Sequence, residues 1–322
     1  MLPRHMIRIL ITTSSFDTER NSSLQYLRRL GCQIVSNPHR RRLTEAETAE
    51  LVANDVVGVI AGVEPLTRAV IGKARALKVI SRCGIGLDSV DLDAAAERGI
   101  KVYNTPGAPV SAVAELTVAL TLGLLRQVGQ ADRCLRMGEW KQLMGNLLGF
   151  QTVGIVGFGR IGRRVAELMH AFGAKILIHD KLTTQLCVDH EAIGLDALLQ
   201  RSDIVTLHVP FQPELRHFIG RSQLERMKRG AFLVNTARGG LVDEAVLLDS
   251  LQSGQLAGAA LDTFEDEPYC GPLTKMPQVL LTAHMGSYAK EARVQMEQEA
   301  AYNLLLGLTA LGVIAAEPAA VQ

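Results

Sequence analysis

A glycine-rich hexad constrains this chain more than any other stretch. Gly157-Phe158-Gly159-Arg160-Ile161-Gly162 is a G-x-G-x-x-G, a pattern that carries little weight alone because glycine is common. Its flanks give it meaning. Thr152–Val156 before it is a short, nearly continuous apolar run, as expected of a buried parallel strand. After it, Ile161, Val165, Leu168, Met169 and Phe172 recur at helical spacing, and Gly173 supplies a stop. A second apolar run, Lys175–His179, ends at Asp180.

Strand, glycine turn, helix, strand and terminal acid together make the dinucleotide-binding fingerprint, in which the acid falls about 20 residues on. Gly157 permits the tight turn, Gly159 lets the backbone approach a pyrophosphate, and Gly162 lets the helix pack close to the strand. The N–H groups at the helix start face the phosphates with the positive end of the helix dipole. Asp180 is placed to accept hydrogen bonds from a ribose hydroxyl and to repel a 2′-phosphate, which favours NAD over NADP. The bland alternative is an ordinary glycine-rich βαβ turn, and the strand before and acid after weigh against it.

A chain of 322 residues is too long for one ordinary core, so two domains are expected. Its formal net charge of +1 gives no reason to expect a nucleic-acid partner or a membrane surface. The run His39–Arg42 is short, isolated and followed by acids, and reads as a solvated loop. Cys32, Cys83, Cys134, Cys187 and Cys270 are scattered and lack C-x-x-C spacing, which predicts free thiols, no zinc site and a reducing, cytoplasmic setting. Residues 1–6 lack an apolar h-region, and no 18-residue apolar stretch free of charge appears.

In the first third, strands are predicted at Ile7–Thr12, Gln33–Ser36, Val56–Ile60, Val79–Ser81 and Lys101–Tyr103. Helices alternate with them at Ser22–Leu30, from Thr44 to about Ala53, and near Thr67–Ala74 and Leu92–Arg98. Thr44-Glu-Ala-Glu47 reads as a capping box. This is a βα domain complete before the glycine motif, with its own glycine-rich turn at Cys83–Gly86. Asn104–Pro109 is a linker, because two prolines and a glycine continue neither element. From Ser111 to about Arg136 one long apolar helix is predicted, either a subunit contact or a core helix. Beyond Asp180, strands are predicted at Ile204–His208, Ala231–Asn235, Ala257–Ala260 and Val279–Thr282. Helices are expected near Leu195–Leu199, Ser222–Met227 and Glu244–Gln252, the last capped by Asp243, and from Ser287 to about Leu306.

Segments that follow predicted strands carry the chemistry: Asn235–Gly240, Leu261–Pro268 and Ala283–Ser287. Open α/β sheets bind ligands at that edge. The segments bring Arg238, Glu267 and His284 there, an arginine, a carboxylate and a histidine. Taken singly each has a dull reading: a surface cation, a turn acid before Pro268, a satisfied histidine.

Taken together, in this order and spacing, they resemble the D-isomer-specific 2-hydroxyacid dehydrogenase family. The matching motifs are Gly157–Gly162 with Asp180, Asn235–Gly239 with Val242-Asp243, Leu261-Asp-x-Phe with Glu267-Pro268, and His284-x-Gly-Ser. Ser81–Asp88 with Val90-Asp91, and Val113–Leu116, look most like the phosphoglycerate dehydrogenase branch. The resemblance implies an α/β fold of two Rossmann-like βα domains with parallel sheets, the cofactor domain (105–286) inserted into a substrate domain (1–104 plus 287–322). It implies that Arg238 holds the substrate carboxylate and polarises the 2-oxo group, that His284 exchanges the hydroxyl proton, and that Glu267 orients the imidazole. NAD would be held by Gly157, Gly159, Arg160, Ile161, Gly162, Asp180, His208, Ala237 and Asp262, with Asp262 on the nicotinamide carboxamide. Substrate would also meet Arg82, Cys83 and Gly84, where the turn offers backbone N–H groups. The two domains would close around the substrate, and residues 105–136 would help build a homodimer.

The chain departs from the longer phosphoglycerate dehydrogenases. They have an arginine where this chain has Ile60–Pro65, and a substrate asparagine that aligns with Pro109, although Arg82 matches an arginine near the substrate phosphate. Their C-terminal regulatory domains are also missing at 322, so feedback through such a domain is not expected. The resemblance therefore implies 3-phosphoglycerate as one candidate substrate and leaves hydroxypyruvate or glyoxylate reduction as the alternative. An NAD(H)-sensing corepressor-like binding protein is the reading from another class, since such proteins share fold and triad.

Overall fold

Short apolar runs that alternate with amphipathic helices leave one stable arrangement, parallel strands with helices over both faces. The computed structural model describes residues 7–53, 55–181 and 190–315 and has this arrangement twice. Contacts divide the chain into one unit up to Pro109 that also takes the stretch from Ala289, and a second unit, Val110–Tyr288.

The first unit begins β1 (Arg8–Ile11), α1 (Ser22–Arg29), β2 (Gln33–Ser36), α2 (Glu45–Val52) and β3 (Val56–Ala61). It continues α3 (Arg68–Lys73), β4 (Val79–Arg82), α4 (Leu92–Glu97) and β5 (Lys101–Tyr103). Its sheet has the order β2-β1-β3-β4-β5, with every pair parallel. The capping box at α2 forms: Thr44 Oγ1 accepts from the Glu47 N–H at 3.3 Å, and Glu47 Oε2 accepts from the Thr44 N–H at 2.9 Å.

The second unit runs α5 (Val110–Leu125), α6 (Val128–Arg136), β6 (Thr152–Val156), α7 (Arg160–Ala171), β7 (Lys175–His179) and β8 (His190–Ala192). Then come α8 (Leu195–Arg201), β9 (Ile204–Leu207), α9 (Arg221–Arg226), β10 (Ala231–Asn235), α10 (Glu244–Gln252), β11 (Leu256–Leu261) and β12 (Val279–Leu281). Its sheet, β12-β11-β10-β9-β6-β7-β8, is also parallel throughout. Strand order reverses between β6 and β9, which makes a crevice at their carboxyl ends, and the glycine motif follows β6.

The last helix, α11 (Lys290–Ala310), returns to the first unit. Met296, Ala300, Leu304 and Leu308 recur every fourth residue and are buried against that sheet. Truncating a leucine in such a position costs roughly 2–5 kcal/mol. The helix starts three residues later than the sequence predicts, because Met285–Tyr288 first closes a turn through the Tyr288 N–H and the Met285 carbonyl at 2.9 Å.

The long helix predicted over 111–136 is two helices that meet at 62°. α5 is core: Ala114, Leu124 and Leu125 are buried in their own unit. Past Leu125 the polar pair Arg126-Gln127 has no apolar surface to follow, and Gln127 takes a left-handed φ of 52°. α6 leaves in a new direction with Val128 and Leu135 exposed. No single described helix is long and apolar enough to cross a membrane. The described cysteines Cys32, Cys83, Cys134 and Cys270 are free thiols, and Cys187 lies outside the described residues.

Candidate active site

The crevice after β6 is shaped by the glycines that the fingerprint requires. Gly157 sits at φ 95°, and a Cβ there would lie 2.6 Å from the His208 backbone at the end of β9. A Cβ on Gly162 would lie 2.0 Å from the Gly157 carbonyl oxygen, so only glycine lets α7 pack this close. Gly159, the N-cap of α7, has nothing within 4 Å of its own Cβ position, and no side chain caps the helix. Open space before an uncapped helix N-terminus suits a pyrophosphate. Asp180 ends β7 and accepts a hydrogen bond from the Phe158 N–H at 2.6 Å, which ties its carboxylate to the glycine turn. Arg160 is exposed at the helix start and Ile161 is half-buried.

His208 lies one residue beyond β9, which ends at Leu207, whereas the sequence pattern predicts a strand that runs through it. Burial pushes its imidazole down to about 3, so the ring is neutral near pH 7. Its Nε2 lies 2.9 Å from Thr206 Oγ1, and its buried Nδ1 has no hydrogen-bond partner among the described residues. An unpartnered buried nitrogen at this crevice fits a residue that faces a bound cofactor. The donors, the acid and the open cradle thus fit a dinucleotide.

Arg238 follows β10 on a turn built by Asn235. That fully buried amide donates to the Arg238 carbonyl at 2.8 Å, and its Oδ1 accepts from the Ala237 N–H at 3.0 Å. Arg238 Nη1 donates to the Ala237 carbonyl at 2.7 Å. The next residue sets the distance to the neighbouring loop. A Cβ on Gly239 would lie 1.8 Å from the Phe264 carbonyl carbon, so glycine is what lets the arginine turn rest on the Phe264–Glu265 backbone.

β11 runs into Asp262 and β12 into the loop that carries His284, and Asp262 joins them. Its buried carboxylate accepts from Thr282 Oγ1 at 2.6 Å and from the N–H groups of Met285 and Gly286 at 2.8 Å each. Its carbonyl accepts from the His284 N–H at 2.7 Å. This anchoring holds His284 at a φ of 50°, uncommon for a residue with a Cβ. The ring then meets Glu267: Nδ1 lies 2.9 Å from Oε2 and 3.1 Å from Oε1. Glu267 Oε1 also accepts from the Phe264 N–H at 3.1 Å, which fixes the carboxylate. With a carboxylate at Nδ1, that nitrogen carries the proton and Nε2 is the atom left to exchange one.

Arg82, Cys83 and Gly84 belong to the first unit, at the end of β4. Arg82 is buried, folds back over Gly84 and donates to the Cys83 carbonyl. The Cys83 N–H is engaged by the Ala61 carbonyl at 2.8 Å and the Gly84 N–H by the Arg82 carbonyl at 3.0 Å. Burial pushes the Cys83 thiol up to about 11, so it packs as a neutral group. One strand away, Glu64 is almost fully buried at the same edge; it accepts from Thr12 Oγ1 and from the Gly62 N–H at 3.0 and 3.1 Å.

Sequence reasoning did not single out Glu64, Glu244, Glu265 or His217. Glu244 accepts from the Glu265 N–H at 2.7 Å, and burial, offset in part by that bond, raises its carboxyl above the usual range. The acid run Glu265-Asp-Glu267 lies near it and adds to the upward shift, and the left-handed His217 contacts Glu265. The acid run was visible, but only the fold shows that alternate members face different partners.

The sequence profile of the D-isomer specific 2-hydroxyacid dehydrogenase, NAD binding domain, matches residues 118–286. A D-3-phosphoglycerate dehydrogenase of Methanocaldococcus jannaschii is 39% identical over 295 residues, which take in 89% of this chain but only 55% of that protein. The chain thus spans about half of that relative's length. A hydroxypyruvate reductase of Thermotoga maritima is 38% identical over 257 residues, 78% of this chain and 84% of that protein. Among solved structures, the TT0316 protein of Thermus thermophilus superposes with a TM-score of 0.86 at 38% identity, covering 94% of this chain and 97% of the other. With that profile over more than half of its length and this likeness to the reductase, the chain belongs to the D-isomer-specific 2-hydroxyacid dehydrogenase family.

Proposed function

We propose that this protein is an NAD-dependent oxidoreductase that interconverts a small D-2-hydroxy acid and its 2-oxo acid. The observation that carries the reading is the His284–Glu267 pair, anchored through Asp262 and set on strand ends that neighbour the Arg238 turn. Bound NAD(H) supplies or accepts the hydride at C2 of the substrate. Arg238 binds the substrate carboxylate through its planar fork and draws electron density from the 2-oxo group. In reduction, protonated His284 donates from Nε2 to the oxygen that gains charge at C2. In oxidation, neutral His284 takes the hydroxyl proton at the same atom. Glu267 keeps Nδ1 protonated and balances the imidazolium. The test is NADH oxidation with a panel of 2-oxo acids. A protein that binds NADH and turns over none of them is a cofactor-sensing binding protein instead.

The cofactor preference is expected to follow Asp180. Asp180→Ser removes the charge opposed to a 2′-phosphate and is expected to raise the NADP(H)/NAD(H) ratio of kcat/KM roughly tenfold or more. A wild-type enzyme that uses both cofactors equally would remove this role from Asp180.

Buried Glu64 favours an unphosphorylated substrate, of the hydroxypyruvate or glyoxylate kind. Its carboxylate lies at the carboxyl ends of β1 and β3, and β3 neighbours the strand that ends in Arg82; a phosphate reading needs an excess of positive charge at that edge. Hydroxypyruvate is expected to exceed phosphohydroxypyruvate in kcat/KM about tenfold, and Glu64→Gln is expected to narrow that ratio. A wild-type preference for the phosphorylated acid would reverse the assignment.

Homodimer formation through the second unit is part of the same reading. Val128, Leu135, Trp140, Met144, Phe150 and Phe172 are exposed, and Trp140 at 85%, Met144 at 91% and Phe150 at 85% leave large side chains in water. A second copy of this chain is the occupant that the reading assigns to these side chains.

A further inference from the structure

We propose that His217 is a positioning residue that holds the Arg238 turn and the Glu267 loop in one register. The proposal rests on the reading of Arg238, Glu267 and His284 as the reacting groups. His217 lies in the connection between β9 and α9, in a left-handed conformation with φ 55°. It is tied to both loops at once. Its N–H donates to the Gly240 carbonyl at 2.8 Å, two residues past Arg238. Its Nε2 lies 3.2 and 3.1 Å from the two oxygens of Glu265, two residues before Glu267. Its Nδ1 lies 3.6 Å from Asp243 Oδ2, the residue that caps α10.

The surroundings make the ring a junction between carboxylates. Glu265 also pairs with Arg216, and its N–H donates to Glu244 at 2.7 Å. Downstream, the Ile219 N–H donates to the Leu241 carbonyl at 2.9 Å and the Asp243 N–H to the Ile219 carbonyl at 3.1 Å. The segment from His217 to Ile219 therefore runs alongside Gly240–Asp243 as a short parallel pairing. On the other side, Gly239 rests on the Phe264–Glu265 backbone. Without the imidazole, Asp243 and Glu265 lose the group between them, and their like charges push the two loops apart. Small displacements of this kind at a reacting centre lower rates steeply.

Two properties of His217 have to be separated, its left-handed backbone and its ring. Glycine adopts positive φ without cost and lacks the ring; asparagine tolerates positive φ and keeps a donor. His217→Gly is expected to lower kcat/KM for the best 2-oxo acid at least tenfold, with NADH affinity by fluorescence changed less than twofold. His217→Asn is expected to recover part of the loss. Glu265→Gln is expected to be impaired too, and its combination with His217→Gly no worse than the poorer single variant. The proposal is overturned by a His217→Gly enzyme as active as wild type, by losses that multiply in the double variant, or by NADH affinity that falls in parallel with turnover. Should the glycine variant fail to fold, the same cycle with His217→Asn decides. His284→Asn serves as reference: full activity there would remove the triad itself, whatever His217 does.

Discussion

His284→Asn is expected to lower turnover in both directions by about 10²–10⁴-fold, the range assigned to a positioned general acid or base. Asparagine suits the site because it accepts a positive φ, and His284 sits at 50°. The loop should persist in the variant. Its N–H bond to the Asp262 carbonyl is made by the backbone, and Asp262 grips Met285 and Gly286 independently of the ring. NADH affinity, read by fluorescence, is therefore expected to change little. The pH profiles give a second readout. Reduction needs the imidazolium, so its rate is expected to fall as pH rises, whereas oxidation needs the neutral ring and is expected to speed up. Both slopes are expected to vanish in His284→Asn, and an active variant with its pH dependence intact would exclude His284 as the proton carrier.

Glu267→Gln belongs to the same test. The amide keeps the shape, but its oxygen must serve both the Phe264 N–H and the ring, and its NH₂ end can force Nδ1 to act as acceptor. That moves the proton to the wrong nitrogen and removes the charge that balances imidazolium. A loss approaching that of His284→Asn is expected, with NADH affinity retained. Unchanged turnover in Glu267→Gln would mean that the observed pair has no part in the reaction.

Much of this was legible in the residues because the decisive signals are local. Thr152–Val156, the glycine hexad and Lys175–His179 encode strand, turn, helix and strand within one βαβ unit, and Gly157 and Gly162 stand where a Cβ would clash. The capping box at Thr44 and the Asp243 cap are likewise contacts between residues two or three apart. What escaped was non-local. The break between α5 and α6 has no glycine or proline at Gln127 to announce it, and it follows from where buried surface ends. Nothing local singles out Glu64, yet the fold closes Thr12 and Gly62 around its carboxylate. In the run Glu265-Asp-Glu267 one acid faces His217 and another His284, from loops that only the sheet order brings together. The resemblance implies a cofactor contact for Asp262, and the structure adds that its carboxylate secures the histidine loop.

Arg238→Ala is expected to reduce kcat/KM for 2-oxo acids by about 10²–10⁴-fold. A guanidinium that grips a carboxylate makes two charge-assisted hydrogen bonds, each worth roughly 1.5–3 kcal/mol. Because the same group polarises the reacting carbonyl, part of the loss should appear in kcat as well as in KM. Arg238→Lys is expected to recover little, since an ammonium offers a point charge without the planar fork. The turn itself does not depend on the side chain. Asn235 donates to the Arg238 backbone carbonyl, and Gly239 still rests on Phe264, so the Glu267 loop keeps its support. Added guanidinium ion should therefore restore part of the activity of Arg238→Ala, because the loop that would receive it remains in place. NADH affinity should be close to wild type. If turnover and NADH binding decline together and guanidinium restores nothing, Arg238 supports the fold of the turn and the substrate carboxylate is held elsewhere.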